Sequence, residues 1–575
     1  MIGKLYSGRQ TVALLSPLIN TLVMSRILTV VIMLVVLVFG VFLGTRLNGN
    51  RDIKVAQQKK MLEAYGLMKE FYVDKVDSDS LAGAGIQGMA EYLDPHTVYL
   101  EPEKVSFSQA EFDGNFDGIG IEFDVISDTL LVVTPLSGGP SATVGISPGD
   151  RIIAIDSASA VGITQQDVLR KLRGKRGTKV RLKVFRPLSG KLLDFVVTRG
   201  KISTSSIDAA FMINDRVGYI RLSRFIATTG DEFRRALAGL KKQGMARLIL
   251  DLRGNPGGFL EQAVAVADEF LAKGQLIVYT KSRAGGSEDE RYLAKSVDEG
   301  FKTGEVIVLV DKGSASASEI LAGALQDNKR AVVVGELSFG KGLVQRQLEF
   351  ADGSAIRLTV SRYYTPSGRQ IQRVYRKGVA GRERYYKESM VNILPQKLFT
   401  HPDSLLYLKN NEVSVYKTSS LPALVLSLKG KDAKGQSKLN ALKDAGGIIP
   451  DFWVTGASFS EFYQKLYQSG VFDEMALKLL DDPRSSVQGY RASLDRFIAN
   501  YSEESSFEAL VLKTCKAKKI AFDRTAFTRD RKIIARAVKS KIAHQLFGAE
   551  GQIKFLVRSA DPVVKIAETL PERRP

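Results

Sequence analysis

Three serines one residue apart, Ser314, Ser316 and Ser318, lie in the stretch DKGSASASEILAGA (311–324), with Glu319 directly after them. A serine hydroxyl becomes a nucleophile only when a neighbouring base takes its proton. The apolar run VIVLV (306–310) precedes the cluster and helix-forming residues follow from near Ala317, so the serines fall between a strand end and a helix start. Open α/β sheets bind ligands beyond the carboxyl ends of their strands, and a helix start offers unbonded N–H groups at its positive end. An oxyanion forming beside Ser316 could use the N–H of Ala317. The same residues also spell Ser316-x-x-Glu319, a capping box that by itself requires no chemistry.

The base narrows the reading. The chain has 3 histidines, His96, His401 and His544, and none lies in the segment around the serines. A histidine would have to be recruited from a distant part of the chain. The alternative is a lysine neutralised by burial. Lys341 stands between Gly340 and Gly342 in GELSFGKGLVQRQLEF (335–350), directly after the strand-like AVVVG, and neighbouring strands of one sheet would bring it to the serine turn. The spacing Gly335-x4-Gly340-Lys341 approaches a phosphate-binding loop. That loop needs Ser or Thr after the lysine and then a helix; here Gly342 follows, and LVQRQLEF alternates like a strand.

The elements that must carry these groups are legible around them. Residues 206–370 alternate strand-like VGYIRL, ARLILDL, EVIVLVD and AVVVG with helix-like TTGDEFRRALAGLKKQG, LEQAVAVADEFLA and SEILAGALQDN. Unbroken apolar strands alternating with helices give an α/β core with a largely parallel sheet. Before it, residues 109–199 carry short strands between Gly/Pro turns and one helix opened by Thr164-x-x-Asp167, a small β domain. Residues 46–108 have helical spacing that ends at LDPHTVYL (93–100). Residues 372–445 are polar, basic and weakly periodic, an expected insertion. Residues 456–575 have helical spacing and form an expected helical domain of unassigned role.

The chain of 575 residues is long enough for about three or four domains. One cysteine, Cys515, excludes an intramolecular disulfide and a Cys-rich metal site, and no metal or cofactor is expected. The formal net charge of +20 is spread along the chain and reads as a solvated basic surface, not a nucleic-acid site. Residues 27–44, ILTVVIMLVVLVFGVFLG, hold no charge and approach the roughly 20 residues a helix needs to span a bilayer. The following GTRLNGN fits a signal-peptide cleavage site poorly, so an uncleaved anchor over 27–45 is expected, after a cytoplasmic segment 1–26. Lys4, Arg9 and Arg26 before it and Arg46, Arg51 and Lys54 after it are too balanced to set its orientation.

Taken together, LDPHTVYL, GIGI, SPGDRIIAID, LILDLRGNPGG, GSASASEILAGALQD, GKGLVQ, YYTPSGR and GGIIPD (446–451) resemble the C-terminal-processing peptidases, also called tail-specific proteases, in type and order. The resemblance covers residues 60–371 and returns at 446–451. It implies that Ser316 is the nucleophile, Lys341 its base and Gln345 the residue that steadies the lysine, with Ser314 and Ser318 structural. It also implies that an N–H of the LRGNPGG turn, from Gly257 or Gly258, joins that of Ala317 in an oxyanion hole. Residues 109–199 resemble a PDZ domain, with Gly118, Ile119, Gly120 and Ile121 as the loop that holds a peptide's terminal carboxylate.

The expectation is therefore a multidomain α/β and β protein: an N-terminal transmembrane helix, a PDZ-like domain, an α/β serine-peptidase core over 200–371 and 446–455, and a helical C-terminal domain. It would be a serine endopeptidase that binds protein substrates by their C-terminal tails. It would be held by a single membrane pass in the cell inner membrane, with its catalytic part on the periplasmic side. A silent tail-binding scaffold is the alternative; a homo-oligomer or an adaptor stays open.

Overall fold

The computed structural model describes residues 33–39, 56–136, 138–283, 289–296, 300–389, 406–409, 413–417, 446–456, 459–502, 506–559 and 561–570. The chain divides into two units, Met1–Met89 and Ala90–Pro575. In the first, residues 33–39 and 56–71 are helical. Most of the expected anchor, 27–32 and 40–45, and all of segment 1–26 lie outside the described residues. Among the described residues no helix is long and apolar enough to cross a membrane.

The second unit is built on an eight-stranded sheet. Its strands are β1 (Ile207–Met212), β2 (Val217–Leu222), β3 (Arg247–Asp251), β4 (Glu305–Val310), β5 (Val332–Gly335), β6 (Leu406–Lys409), β7 (Val413–Lys417) and β8 (Phe452–Gly456), in spatial order β1-β2-β3-β4-β5-β8-β7-β6. The run β2-β3-β4-β5-β8 is parallel, with antiparallel strands at both ends. Because successive strand residues face opposite sides, the apolar runs serve two cores. Leu248, Leu250, Val306 and Val308 face helices α1 (Thr229–Lys242), α2 (Leu260–Asp268) and α3 (Ala317–Asp327), through Phe233, Leu237, Val266, Leu321 and Leu325. Ile249, Ile307, Leu309 and Val334 face the opposite way, onto Val564, Ile566, Ala567 and Leu570 of the last helix, α4 (Pro562–Thr569).

Three elements pack across the expected boundaries. Val98–Leu100 pairs with Ala355–Tyr364 in a second, five-stranded sheet, so the end of the expected N-terminal region 46–108 is knitted into the peptidase core. Within the expected insertion 372–445, the helix Val379–Ser389 places buried Tyr385 in the core, and β6 and β7 extend the main sheet. Its residues 390–405, 410–412 and 418–445 lie outside the described residues. The C-terminal domain is helical around Phe472, Met475, Val511, Phe527 and Ile542, but its last helix belongs to the peptidase sheet. Strand pairing and helix docking are long-range choices, which local periodicity does not encode.

The small β domain has a six-stranded sheet in which Ile121–Ile126 is an edge strand, with the helix Gln165–Leu172 packed over Leu130, Val132, Val180 and Val184. Thr164 caps that helix by accepting the N–H of Asp167 at 3.2 Å, as its sequence anticipates.

Candidate active site

Each serine of the cluster has a distinct place. Ser314 is fully buried; its hydroxyl donates to the carbonyl of Leu252 at 2.8 Å and accepts the N–H of Asp311 at 2.9 Å. Ser318, equally buried, donates to the carbonyl of Asn255 at 3.0 Å. Both stitch the turn to the loop after β3. Only Ser316 reaches the cleft, and its backbone sits at φ 55°, ψ −114°. A non-glycine residue there carries strain on the order of 1–3 kcal/mol, which the surrounding bonds must hold.

Glu319 holds much of it. Its buried carboxylate accepts the N–H of Ser316 at 2.9 Å, of Lys341 at 2.8 Å and of Gly340 at 2.7 Å, and the hydroxyl of Ser338 at 2.6 Å. The expected capping interaction is therefore one part of a tie between the serine turn and the lysine loop. Burial raises the pKa of Glu319, and the four donors oppose that rise. Tyr363, fully buried on Ala355–Tyr364, offers its hydroxyl proton to the carbonyls of Ser316 (3.1 Å) and Lys341. Sequence reasoning saw Glu319 only as a cap and passed over Tyr363. The tyrosine's signal was its place in YYTPSGR.

Ser316, Lys341, Gln345, Gly257 and Gly258 line one cleft of about 880 Å³. Lys341 keeps some exposure, but protein encloses most of its surroundings. Burial foremost, then the positive charge of Arg357, lowers its pKa to about 8 against the pull of Glu319 and Asp94. A neutral amine is thus available at mildly alkaline pH. Gln345 donates its side-chain amide to the carbonyl of His96 at 2.6 Å. His96 itself approaches from the neighbouring turn, where Asp94 accepts the N–H groups of His96 (2.8 Å) and Thr97 (2.9 Å). It is 8% exposed, lies 3.2 Å from the Tyr385 hydroxyl, and has its pKa lowered to about 3, chiefly by burial and then by Lys341. This histidine is not a member of the cleft lining.

The two glycines separate. Gly257 (φ 98°) donates its N–H to Asn255 Oδ1 at 2.8 Å, so that donor is already engaged. Of the two glycines the sequence left open, Gly258 is thus the one whose N–H stays available. Gly257 instead permits close approach: a Cβ there would lie 2.7 Å from the Cβ of Ser316 and 2.9 Å from the nitrogen of Ala317. The N–H groups of Gly258 and Ala317 have no acceptor among the described residues. The loop is itself anchored, since Asn255 donates to the carbonyl of Leu222 at 2.8 Å and accepts the N–H of Ala315 at 2.9 Å.

In the small β domain, Gly120 has φ 71° and the loop Gly118–Ile121 precedes the edge strand. The carbonyls of Ile119 and Gly120 accept the N–H groups of Ser141 (3.0 Å) and Leu136 (3.0 Å). The N–H groups of Ile119 and Gly120 have no acceptor among the described residues. That is the polarity an anion nest requires.

Four segments of the chain match known protein families. Residues 216–380 match peptidase family S41, 131–186 a PDZ domain, 45–104 the activating protease CtpB N-terminal domain, and 462–548 a family of unknown function, DUF8443. The carboxy-terminal processing protease CtpB of Bacillus subtilis (strain 168) is 37% identical over 323 residues, 56% of this chain and 66% of that protein. Its CtpA is 35% identical over 321 residues, covering 56% and 67%. The probable CtpA-like serine protease of Staphylococcus aureus (strain MSSA476) is 34% identical over 358 residues, covering 62% and 70%. Among solved structures, the photosystem II D1 C-terminal processing protease aligns with 29% identity and a TM-score of 0.32 over 54% of this chain and 89% of that one. The chain belongs to peptidase family S41, the carboxy-terminal processing proteases, and is a serine-type protease with a PDZ domain.

Proposed function

We propose that this protein is a serine endopeptidase with a Ser316/Lys341 dyad that binds proteins by their C-terminal tails and cuts near them. The supporting observation is Ser316 on a strained turn, in one cleft with a lysine of depressed pKa, the two backbones joined through Glu319. Neutral Lys341 takes the Ser316 proton as Oγ attacks the scissile carbonyl. The oxyanion is held by the N–H groups of Ala317 and Gly258. The lysine then returns its proton to the leaving amine, and water, activated by the same lysine, releases the acyl group and restores Ser316. Gln345, fixed by the His96 carbonyl, orients the lysine.

Substrate adds as a strand along Leu343–Glu349, which pairs on one side with Ala355–Tyr364 and lines the cleft through Leu343 to Gln347. The tail adds to the edge strand Ile121–Ile126, its carboxylate in the Gly118–Ile121 nest. Residues 27–44 anchor the chain in a membrane, with the catalytic part outside the cytoplasm. The apolar run supports the anchor, and the family likeness supports the side.

The test is cleavage of matched peptides with free and amidated C-termini, without nucleotide and in the presence of a chelator. The free tail should be cut faster, and Ser316→Ala or Lys341→Ala should abolish cleavage of both. Retained cleavage by Ser316→Ala would reject the dyad. Gly120→Val, whose Cβ would lie 2.8 Å from Ile202 Cδ1, should erase the preference for the free tail. Deleting residues 1–46 should release a soluble, active enzyme; a form still bound to membranes would reject the anchor.

A further inference from the structure

The loop Asp251–Gly258, which supplies the Gly258 donor, is held from behind by the far C-terminus of the chain. Arg253 donates to Asp561 Oδ2 at 2.7 Å and Oδ1 at 3.3 Å, and to Asp251 Oδ2 at 2.6 Å and Oδ1 at 2.9 Å. Asp561 also caps α4, accepting the N–H groups of Val563 (3.0 Å) and Val564 (3.1 Å) at Oδ1. The helix behind that cap is fixed to the sheet by Val564, Ile566, Ala567 and Leu570, and by the carbonyl of Glu568, which accepts from Arg247 at 2.7 Å. On the other side of the pair, Asp251 accepts the hydroxyl of buried Tyr219 at 2.7 Å, and Arg221 donates to the carbonyl of Arg253 at 3.3 Å. Two residues after Arg253 stands Asn255, which bonds the serine turn and engages the N–H of Gly257.

We propose that Asp561 is a positioning residue for catalysis: through Arg253 it fixes the loop that carries the Gly258 oxyanion donor. The segment after residue 456 thereby completes the peptidase site from behind, although it lies outside the residues that carry the protease resemblance. The inference rests on the assignment of Gly258 and Ala317 as the oxyanion hole. A rigid donor stabilises the tetrahedral state only if it is in place beforehand. A loop free to shift by about an ångström loses on the order of 100-fold in rate while substrate binding along Leu343–Glu349 is untouched.

Asp561→Asn is the discriminating variant in the full-length protein. Asparagine caps a helix as well as aspartate does, so α4 keeps its cap and only the charge pairing with Arg253 is lost. The expected result is a fall in kcat of roughly 10- to 100-fold with KM and the pH midpoint unchanged. Affinity for a peptide boronate, which forms a tetrahedral adduct on the serine, should fall in parallel. Tail-peptide binding measured in the Ser316→Ala background should not change. Combined with Arg253→Lys, the losses should not add, because both remove one interaction. A wild-type kcat for Asp561→Asn overturns the proposal. So does a loss that appears equally in KM, in tail binding or in the melting temperature, since that marks a general structural role. Failure of the underlying dyad reading would appear separately, as cleavage by Ser316→Ala.

Discussion

In the proposed dyad Lys341 must be neutral to accept a proton, and its surroundings set the pH at which that happens. Burial and the charge of Arg357 bring its pKa to about 8, from an unfolded value near 10.5. Below about 8 the amine is protonated and idle, so activity should rise with pH through a single midpoint near that value. Replacing Arg357 with Gln removes a positive neighbour and should move the midpoint upward, read from kcat over a pH series. Lys341→Arg should be inactive at every pH, because a guanidinium keeps its proton. Stability carries the same sign. Between about 8 and 10.5 the unfolded chain binds the extra proton, so stability should also rise with pH there. Glu319 gives a second test. It accepts four donors and donates nothing. Glu319→Gln turns an N–H2 against some of them, and should cost about 1–3 kcal/mol in denaturant unfolding together with most of the activity. That Ser316 and Lys341 come to one cleft while Ser314 and Ser318 are buried in the turn was legible because the family motifs are local. The tie through Glu319 was not, because residues 319 and 338–341 meet only once β4 and β5 pair.

At the scale of elements, the loops after β3, β4 and β5 bring the site residues together, and the first two depend on what their backbone can approach. Gly257 packs against the Ser316 turn, and Gly258 against the carbonyl of Phe225, where a Cβ would lie at 1.9 Å. Gly257→Ala should push Ser316 and Ala317 away and lower kcat by roughly 100-fold. Gly254→Ala makes a fair control. Its φ of 72° carries comparable backbone strain, but the nearest atom to a Cβ is Arg221 Nη2 at 4.0 Å. It should cost about 1–3 kcal/mol of stability and lower kcat less than Gly257→Ala does, measured on the same preparation. The alternation of strands and helices over 206–370 was readable from apolar periodicity, and so was the small β domain. What sequence pattern could not assign was partnership. Val98–Leu100 carries no mark that its partner is Ala355–Arg357, and β6 and β7 sit in a stretch without clear period. The second face of the sheet was visible in Ile249, Ile307 and Leu309, but nothing in those residues says that the helix Pro562–Thr569 covers them.

At the scale of the whole second unit, the C-terminal domain also touches the PDZ domain, and that contact is expected to depend on pH. The long helix Arg524–Ser559 is broken at Gly548 (φ 70°, ψ −172°), where a Cβ would come within 3.4 Å of Glu122 Oε2. Beside the break, His544 Nε2 lies 3.4 Å from Asp124 Oδ2 and 3.9 Å from Glu122 Oε1. Both acids sit on the edge strand expected to receive the tail, which remains unpaired on its outer side among the described residues. Burial works against charge on His544, as does nearby Lys541, but the hydrogen bond and charge of Asp124, with the charge of Glu122, raise its pKa above 6.5. Asp124 is shifted down: burial opposes the shift and His544 and Lys541 drive it. Glu122 is shifted up by burial. The raised histidine gives stabilisation that is complete below about 6.5 and lost as pH rises through its folded value. The lowered Asp124 gives stabilisation that is lost only in acid, as pH falls through its own depressed value. The contact is therefore strongest in the weakly acidic range, below about 6.5 and above the depressed value of Asp124, and loosens as pH rises through the raised value of His544. Amide hydrogen exchange of residues 121–126, followed across that range and corrected for intrinsic rates, should show protection falling as pH rises. His544→Gln should remove the pH dependence while leaving the ion pair Arg151–Asp481 to hold the domains together. Protection that stays flat with pH in the wild type would exclude His544 as the titrating link. Protection that falls equally in His544→Gln would assign the loosening to another group.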